Sequence, residues 1–206
     1  MENFKKSIQN DDNIIAAFLY GSRVYGTHNE QSDYDFICIV ENKESYNPLT
    51  QFGDVTNYTK EEFQSLIEKH EISILECIFL DESFIVKQSN SFDFNLNKQE
   101  LRNSISAKAS NSWVKCKKKF IVEEDFNPYI GKKSAWHSLR ILDFGKQIAD
   151  NGIIVNYGSC NHLQKELMEL SSWEEIEQKF KPIYNNMSSA FKQSAPKDVQ
   201  SPKPKM

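Results

Sequence analysis

A small mixed α/β (α+β) core followed by a helical C-terminal domain is the fold class this sequence predicts, on three observations. Two apolar runs, residues 14–20 and 34–40, flank a polar loop that opens on Gly21-Ser22, a pattern that reads as strand, turn, strand. A third run, residues 52–58, precedes Thr59-Lys60-Glu61-Glu62, whose Thr-x-x-Glu form marks the start of a helix. From about Asn97 the strand signals stop, and Leu101, Ile105 and Ala109 recur at every fourth position, the spacing of a helix with one buried side. The boundaries that follow are 1–92 for the α/β core, 93–193 for the helical domain and 194–206 for a tail rich in Pro, Lys and Ser that is expected to be disordered.

Taken in order, residues 2–9 predict a short polar helix that ends at Asn10-Asp11-Asp12, and residues 14–20 the first strand. The loop 21–32 is expected to hold a helical turn after Ser22, which would point its first N–H groups at a bound phosphate. The near-continuous apolar character of 34–40 argues for a strand inside a sheet covered on both faces. Residues 41–51 form a polar connection with Pro48, and the helix after Thr59 carries Phe63, Leu66 and Ile67 on its buried side. Residues 72–80 fit helix or strand, with the spacing of Ile72, Leu75, Ile78 and Phe79 favouring helix, and 84–86 is a short strand candidate. The helix through Leu101 runs on to Lys115-Cys116-Lys117-Lys118-Lys119, which reads as a solvated helix end where cations complement the dipole, with a nucleic-acid contact as the less favoured alternative. Residues 127–131 read as a break punctuated by Pro128 and Gly131, and 132–150 as a strong helix stopped by Asn151-Gly152. Three further helices are expected over 163–170, 173–181 and 183–192.

With 206 residues, 39% of them hydrophobic and 26% charged, the chain suits one medium domain or two small ones with a proper core. A net charge of −4 argues against a protein that coats nucleic acid indiscriminately, while leaving room for local basic surfaces. No apolar run approaches the length that crosses a bilayer, and the N-terminus leads into no signal-peptide core, so a cytoplasmic protein without a membrane partner is expected. Cys38, Cys77, Cys116 and Cys160 lie far apart with no Cys-x-x-Cys spacing, which predicts free thiols rather than zinc, and the four histidines show no metal spacing.

The stretch that carries chemistry is Gly21-Ser22, ten residues, then Asp33-Tyr34-Asp35. Gly21 permits a sharp turn and a close approach to the main chain because it has no Cβ. Ser22 adds a hydroxyl and an N–H, and successive N–H groups in such turns receive phosphate oxygens. Residues two apart on a strand share a face, so Asp33 and Asp35 place two carboxylates side by side where the second strand begins. Two like charges that close stay ionised most easily with cations between them, and hard oxygen ligands suit Mg²⁺, which completes its shell with water and substrate phosphates. The combined reading is a metal–triphosphate site, against the plainer one of a Gly-Ser turn with solvated turn carboxylates.

This pattern between two apolar strands resembles the signature of the DNA polymerase β-like nucleotidyltransferases. The fuller string Gly21-Ser22-Arg23-Val24-Tyr25-Gly26, then Ser32-Asp33-Tyr34-Asp35, is similar to a branch of predicted nucleotidyltransferases associated with bacterial RNA repair. The likeness covers the first half of the chain, continuing through Asp54-Val55-Thr56 and Leu75-Glu76, and is faint around Lys133 to Arg140. The resemblance implies two Mg²⁺ ions, with Mn²⁺ as a possible substitute, bridged by Asp33 and Asp35 and completed by a third carboxylate on the next strand. Asp54 stands there, and Glu76 is the alternative. It also implies a nucleoside triphosphate substrate, ATP above all, held at Gly21 and Ser22. Arg23 follows directly and would either reach a phosphate or pair with Glu30.

The implied activity moves a nucleoside monophosphate to a hydroxyl and releases pyrophosphate. An RNA end is the acceptor that the branch favours. A protein side chain is the rival, because the same spacing resembles antitoxins that adenylylate their toxins, and an antibiotic or other small molecule comes third. A non-catalytic binding module with the same fold is the alternative from another class, disfavoured by the presence of both Asp33 and Asp35. In the helical domain, Lys133, His137 and Arg140 fall within roughly 60° of one another on a helical wheel, away from Ala135, Leu139, Leu142 and Ala149. This basic stripe is expected to line a cleft between the domains, with Lys133 on the triphosphate and His137 and Arg140 holding phosphate or acceptor.

Overall fold

A computed structural model describes residues 2–43, 54–88 and 92–197. The chain separates into two compact units, Met1–Asn95 together with Asn156–Asn161, and Leu96–Val155 together with His162–Met206. The second strand of the core therefore belongs to a unit that also recruits a six-residue loop from far along the chain.

The first unit is built on a mixed four-stranded sheet of order β3-β2-β1-β4. Helix α1 (Glu2–Asn10) leads into β1 (Ile14–Tyr20), whose bounds are those expected from its apolar run. A single helical turn, α2 (Ser22–Tyr25), follows at once, and a loop brings the chain back as β2 (Asp35–Val40). Strands β1 and β2 are antiparallel, with Tyr20 opposite Asp35 and Phe18 opposite Ile37. Phe36 to Val40 are all buried, as their uninterrupted apolar character requires of a central strand. Strand β3 (Val55–Tyr58) lies parallel to β2 and pairs Val55 with Phe36, and β4 (Ile85–Gln88) closes the other side of β1. Phe52 and Gly53, expected in the third strand, and most of the polar connection before it lie outside the described residues.

Helix α3 (Lys60–Glu68) opens on the anticipated capping box, in which the Thr59 hydroxyl accepts from the Glu62 N–H and the Glu62 carboxylate accepts from the Thr59 N–H. Its Phe63 is fully buried and stacks on Phe18 of the sheet with ring centroids 5.9 Å apart. Residues 72–78 resolve as helix α4 (Ile72–Ile78), the alternative that the apolar spacing favoured.

The second unit is helical. Helices α5 (Lys98–Ile121) and α6 (Pro128–Asn151) form a long antiparallel hairpin. Three contacts fix its register: the Ser138 hydroxyl donates to the Ala109 carbonyl at 2.7 Å, Gly145 lies against Ile105, and Gly131 lies against Phe120. The break expected over 127–131 is instead the first turn of α6. Pro128 occupies the first helical position, where its missing N–H costs nothing, and Asn127 caps the helix by accepting from the Ile130 N–H. Gly131 lies within this helix, where the Phe120 ring, 2.7 Å from the position of a Cβ, leaves no room for a side chain.

Helices α7 (Asn161–Glu169) and α8 (Trp173–Ser194) complete this unit. The two helices expected over 173–181 and 183–192 are one, continuous through Pro182. An internal proline removes one helical hydrogen bond, at roughly 3 kcal/mol. Burial of Trp173, Ile176, Phe180 and Phe191 along the same helix offsets this, since each large apolar side chain contributes about 1.5–3 kcal/mol. Trp113, Cys116, Ala135, Leu139, Leu167 and Ile176 share one apolar cluster in this unit. All four cysteines are free and buried, in line with the expectation from their spacing.

Candidate functional site

The order of the strands gathers the chemistry at one end of the sheet. Because β1 and β2 are antiparallel, the end of β1 lies beside the start of β2, and Tyr20 pairs with Asp35. Gly21 is the next residue and sits beneath the Asp35 carboxyl group. A Cβ built on Gly21 would lie only 3.0 Å from the Asp35 Cγ and closer still to one carboxylate oxygen. Its backbone angles, φ 78 and ψ −152, belong to a region that only glycine occupies readily. Gly21 is thus required twice, for the turn and for the carboxylate above it.

Asp54 reaches the same end of the sheet from the other side. Its carbonyl accepts from the Phe36 N–H at 2.8 Å, and the parallel register places it level with Asp35, immediately before the Phe36–Val55 pair. Asp54 itself immediately precedes β3, so the ladder brings its backbone beside Asp35. Asp35 is half-buried, whereas Asp33 and Asp54 are exposed. Asp33 precedes β2 rather than lying within it, so the strand alternation that would align it with Asp35 does not govern it.

Asp33 is held by its loop. Asn29 and Ser32 close a tight turn, with the Asn29 N–H donating to the Ser32 hydroxyl at 2.9 Å and the Ser32 N–H to the Asn29 carbonyl at 3.1 Å. Arg23 then clamps the chain. Its Nε donates to the Asp33 carbonyl at 3.1 Å, its Nη2 donates to the Ser32 carbonyl at 2.6 Å, and the guanidinium lies 3.6 Å from the centre of the Tyr34 ring. Arg23 was expected at a phosphate or on Glu30. The structure shows it engaged with the loop and not with Glu30, because the turn of α2 directs its side chain back across the strand connection. Removing this clamp in Arg23→Ala is expected to lower turnover roughly tenfold, the equivalent of about 1.4 kcal/mol, with nucleotide affinity unchanged. Arg23→Lys should not restore it, since an ammonium cannot form the planar, stacked fork. A weakened nucleotide affinity with intact turnover would return Arg23 to the phosphate.

Glu76, the alternative third carboxylate, is placed by α4 in the interior, at 1% exposure. The Tyr25 hydroxyl donates to its Oε2, and its backbone carbonyl accepts from the Tyr157 hydroxyl at 2.6 Å. Burial above all, with the Glu76 charge behind it, pushes the Tyr157 hydroxyl far above the usual tyrosine range, so it remains a donor. The Asn161 amide adds a 2.7 Å bond to the Tyr25 carbonyl. Residues 156–161 therefore brace α2, the turn that carries Ser22, from behind. Sequence reasoning missed Tyr25, Tyr157 and Asn161 in this role. A buried Glu in an apolar helical run was the one visible signal that a polar partner had to exist.

Asp33, Asp35 and Asp54 share the sheet end without converging: among the described residues no group of three or more His, Cys, Asp or Glu side chains gathers as a metal site. Their donor chemistry fits Mg²⁺ nonetheless. That ion commonly takes one or two carboxylates and fills its octahedron with water and substrate phosphates. The missing Cβ of Gly21 is what lets the Asp35 carboxyl group occupy this position at the end of the sheet.

Lys133, His137 and Arg140 belong to the second unit. Lys133 is exposed and lies over the Tyr129 ring at 5.5 Å. Arg140 is covered rather than presented on an open stripe: it is 4% exposed, lies 4.7 Å from the Trp136 ring centre, and donates from Nη2 to the His137 Nδ1 at 2.8 Å. A guanidinium has no acceptor, so Nδ1 accepts and the ring proton sits on Nε2. Burial, then Arg140, Lys108 and Lys115, push the His137 pKa down to about 3, which keeps the imidazole neutral at pH 7. The wheel placed Arg140 correctly relative to Lys133, but the aromatic side chains of Trp136 and Phe144 close over that part of the helix.

Residues 2–91 match the family model described as Polymerase beta, Nucleotidyltransferase. The match is at the level of the superfamily and ends before the helical unit. No curated protein matches the chain. No helix among the described residues is long and apolar enough to cross a membrane.

Proposed function

From residues 2–91 as a nucleotidyltransferase domain of the DNA polymerase β-like superfamily, we propose that this protein transfers a nucleoside monophosphate from a nucleoside triphosphate, ATP in the first instance, to a hydroxyl on an RNA end. The observation that carries the reading is the seating of the Asp35 carboxylate over Gly21, with Asp54 in register beside it. Gly21 and Ser22 would receive the triphosphate, at the start of a turn whose first amides have no intrahelical acceptor. Asp33 and Asp35, with Asp54, would hold Mg²⁺ or Mn²⁺. Such ions stabilise the charge that develops on the phosphoryl oxygens and favour ionisation of the attacking hydroxyl. The residues themselves orient the reactants. Arg23 fixes the Asp33 backbone, and the Tyr25–Glu76–Tyr157 network holds α2 in place.

The test is incorporation of labelled nucleotide into mixed RNA and protein acceptors, with and without Mg²⁺. Label in RNA, released pyrophosphate and loss of both on chelation are expected. Label confined to protein would replace the acceptor, and no label in either would overturn the reading.

The two candidate third carboxylates separate by readout. Asp54→Asn is expected to lower turnover roughly a hundredfold with the melting temperature unchanged, since an exposed carboxylate contributes little to stability. Glu76→Gln is expected to cost about 1–3 kcal/mol of stability, because it disturbs a buried hydrogen-bonded group, with the larger part of turnover retained. The opposite ranking of turnover would transfer the role to Glu76.

A further inference from the structure

The α5–α6 hairpin concentrates positive charge in a chain whose net charge is −4. Between Leu101 and Leu142 stand nine lysines and arginines against three acids, and those three, Glu123, Glu124 and Asp125, are confined to the connection between the helices. One of them, Asp125, is paired with Lys119. The remaining cations are not evenly spread. Lys132 is turned away, donating to the Met168 and Leu170 carbonyls at 2.9 and 3.1 Å.

On α6, Tyr129, Lys133 and His137 follow one another at intervals of four and so share a face. Lys108 and Lys115 of α5 act electrostatically on His137 and thus flank that face from the neighbouring helix. The hairpin register agrees, since Ala109 meets Ser138 and Phe120 meets Gly131, which brings Lys115 level with the segment from Lys133 to His137. Lys115 and Lys133 are exposed, and Lys108 and His137 are half-buried. At about 1.5 Å per residue, Lys108 and Lys115 lie roughly 10 Å apart along the helix axis, so the positive charge forms a track rather than a point. The track ends at Tyr129, an aromatic ring 61% exposed, with Phe126 at 62% exposure nearby in sequence.

We propose that this face of the hairpin, Lys108 and Lys115 with Tyr129, Lys133 and His137, binds a single-stranded RNA. The lysines meet its phosphates, and the Tyr129 ring stacks on a base. An acidic peptide would satisfy the lysines equally, but the exposed ring at the end of the track favours bases, and a ring can stack only on a base that is unpaired. His137 presents Nε2–H as a neutral donor, and Arg140 acts as a positioning residue that fixes this tautomer from below. Lys133 is thereby assigned to the acceptor strand rather than to the triphosphate. The proposal rests on the RNA-acceptor reading given above and supplies the surface for it.

The experiment measures anisotropy of a fluorescein-labelled single-stranded RNA of about 12 nucleotides with the full chain, without nucleoside triphosphate, over a range of salt concentrations. Lys115→Ala/Lys133→Ala should weaken binding about tenfold or more and reduce the salt slope by about 1.4, the share of two phosphates on a single strand. Tyr129→Ala should weaken binding about tenfold with the salt slope unchanged. Lys165→Ala, an exposed lysine of α7, should change neither. Circular dichroism on each variant reports the fold. Unchanged RNA affinity in folded Lys115→Ala/Lys133→Ala overturns the proposal, as does heparin binding that competes fully while Tyr129→Ala has no effect. If the first variant loses transfer to a protein acceptor while its RNA affinity is unchanged, the face belongs to a protein partner and the proposal also fails. Nucleotide incorporation is scored separately in the same variants. Label transfer without an RNA effect sinks only the track, and RNA binding without any transfer to RNA sinks only the acceptor reading.

Discussion

Asp35→Asn is expected to abolish nucleotidyl transfer while leaving the fold intact. The carboxylate is half-buried at the first residue of β2, directly over Gly21, and it is not among the buried polar groups of the core. Replacing it with an isosteric amide removes the negative charge and one hard oxygen ligand but preserves volume. Charge stabilisation of this kind is worth several kcal/mol in a phosphoryl-transfer transition state, and each 1.36 kcal/mol is tenfold, so a loss of roughly a thousandfold is expected. Asp33→Asn should behave alike, since its backbone is fixed by Arg23 independently of its side chain. The measurement is turnover under saturating Mg²⁺, with thermal melts in parallel. Either variant turning over near the wild-type rate would remove the metal assignment from this pair, whatever the fold.

Gly21→Ala should fail for a different reason and show it in a different readout. At φ 78 and ψ −152 an L-residue is strained by about 1–3 kcal/mol, and the new Cβ would press into the Asp35 carboxyl group, whose Cγ is 3.0 Å away. Stability is expected to fall by about 2–4 °C in melting temperature per kcal/mol. Turnover should fall roughly a hundredfold as Asp35 is displaced, the equivalent of about 2.7 kcal/mol, and Gly21→Val should in addition weaken nucleotide binding. Gly26→Ala separates the two causes. Gly26 also has a positive φ, 73, but its nearest neighbour to a new Cβ is the Asn161 amide at 3.8 Å. That variant should lose stability and keep its turnover. A folded Gly21→Val with unchanged nucleotide affinity and turnover would mean that this glycine does not face the ligand.

Much of the first unit was legible because local signals and burial agree there. The bounds of β1, the helical turn after Ser22 and the capping box at Thr59 each depend on a few neighbouring residues, and each appears as read. Strand succession predicts a third strand beside that of Asp35, and β3 does pair with β2, in parallel. The misreadings share one character. Pro128 reads as punctuation and the expected helices stop on either side of Pro182, yet the first is a helix start capped by Asn127, and the second is overridden by the apolar side chains packed along α8. Arg140 stands on the wheel in a basic stripe facing away from the packed side, and a wheel cannot report that neighbouring rings cover it.

What the sequence alone determined is the set of elements and the identity of the chemical residues, because periodicity, caps and the Gly21-Ser22 to Asp33-Asp35 spacing are properties of short segments. Only the tertiary structure decided what those side chains touch. It put the Asp35 carboxylate over Gly21, turned Arg23 back onto the Ser32 and Asp33 carbonyls, and buried Glu76 beneath Tyr25. It also brought Tyr157 and Asn161 from more than a hundred residues beyond α2 to brace that turn. The physical reason is that a side chain's partners follow from the packing free energy of the whole core, summed over contacts distant in sequence, and no window of neighbouring residues contains that sum.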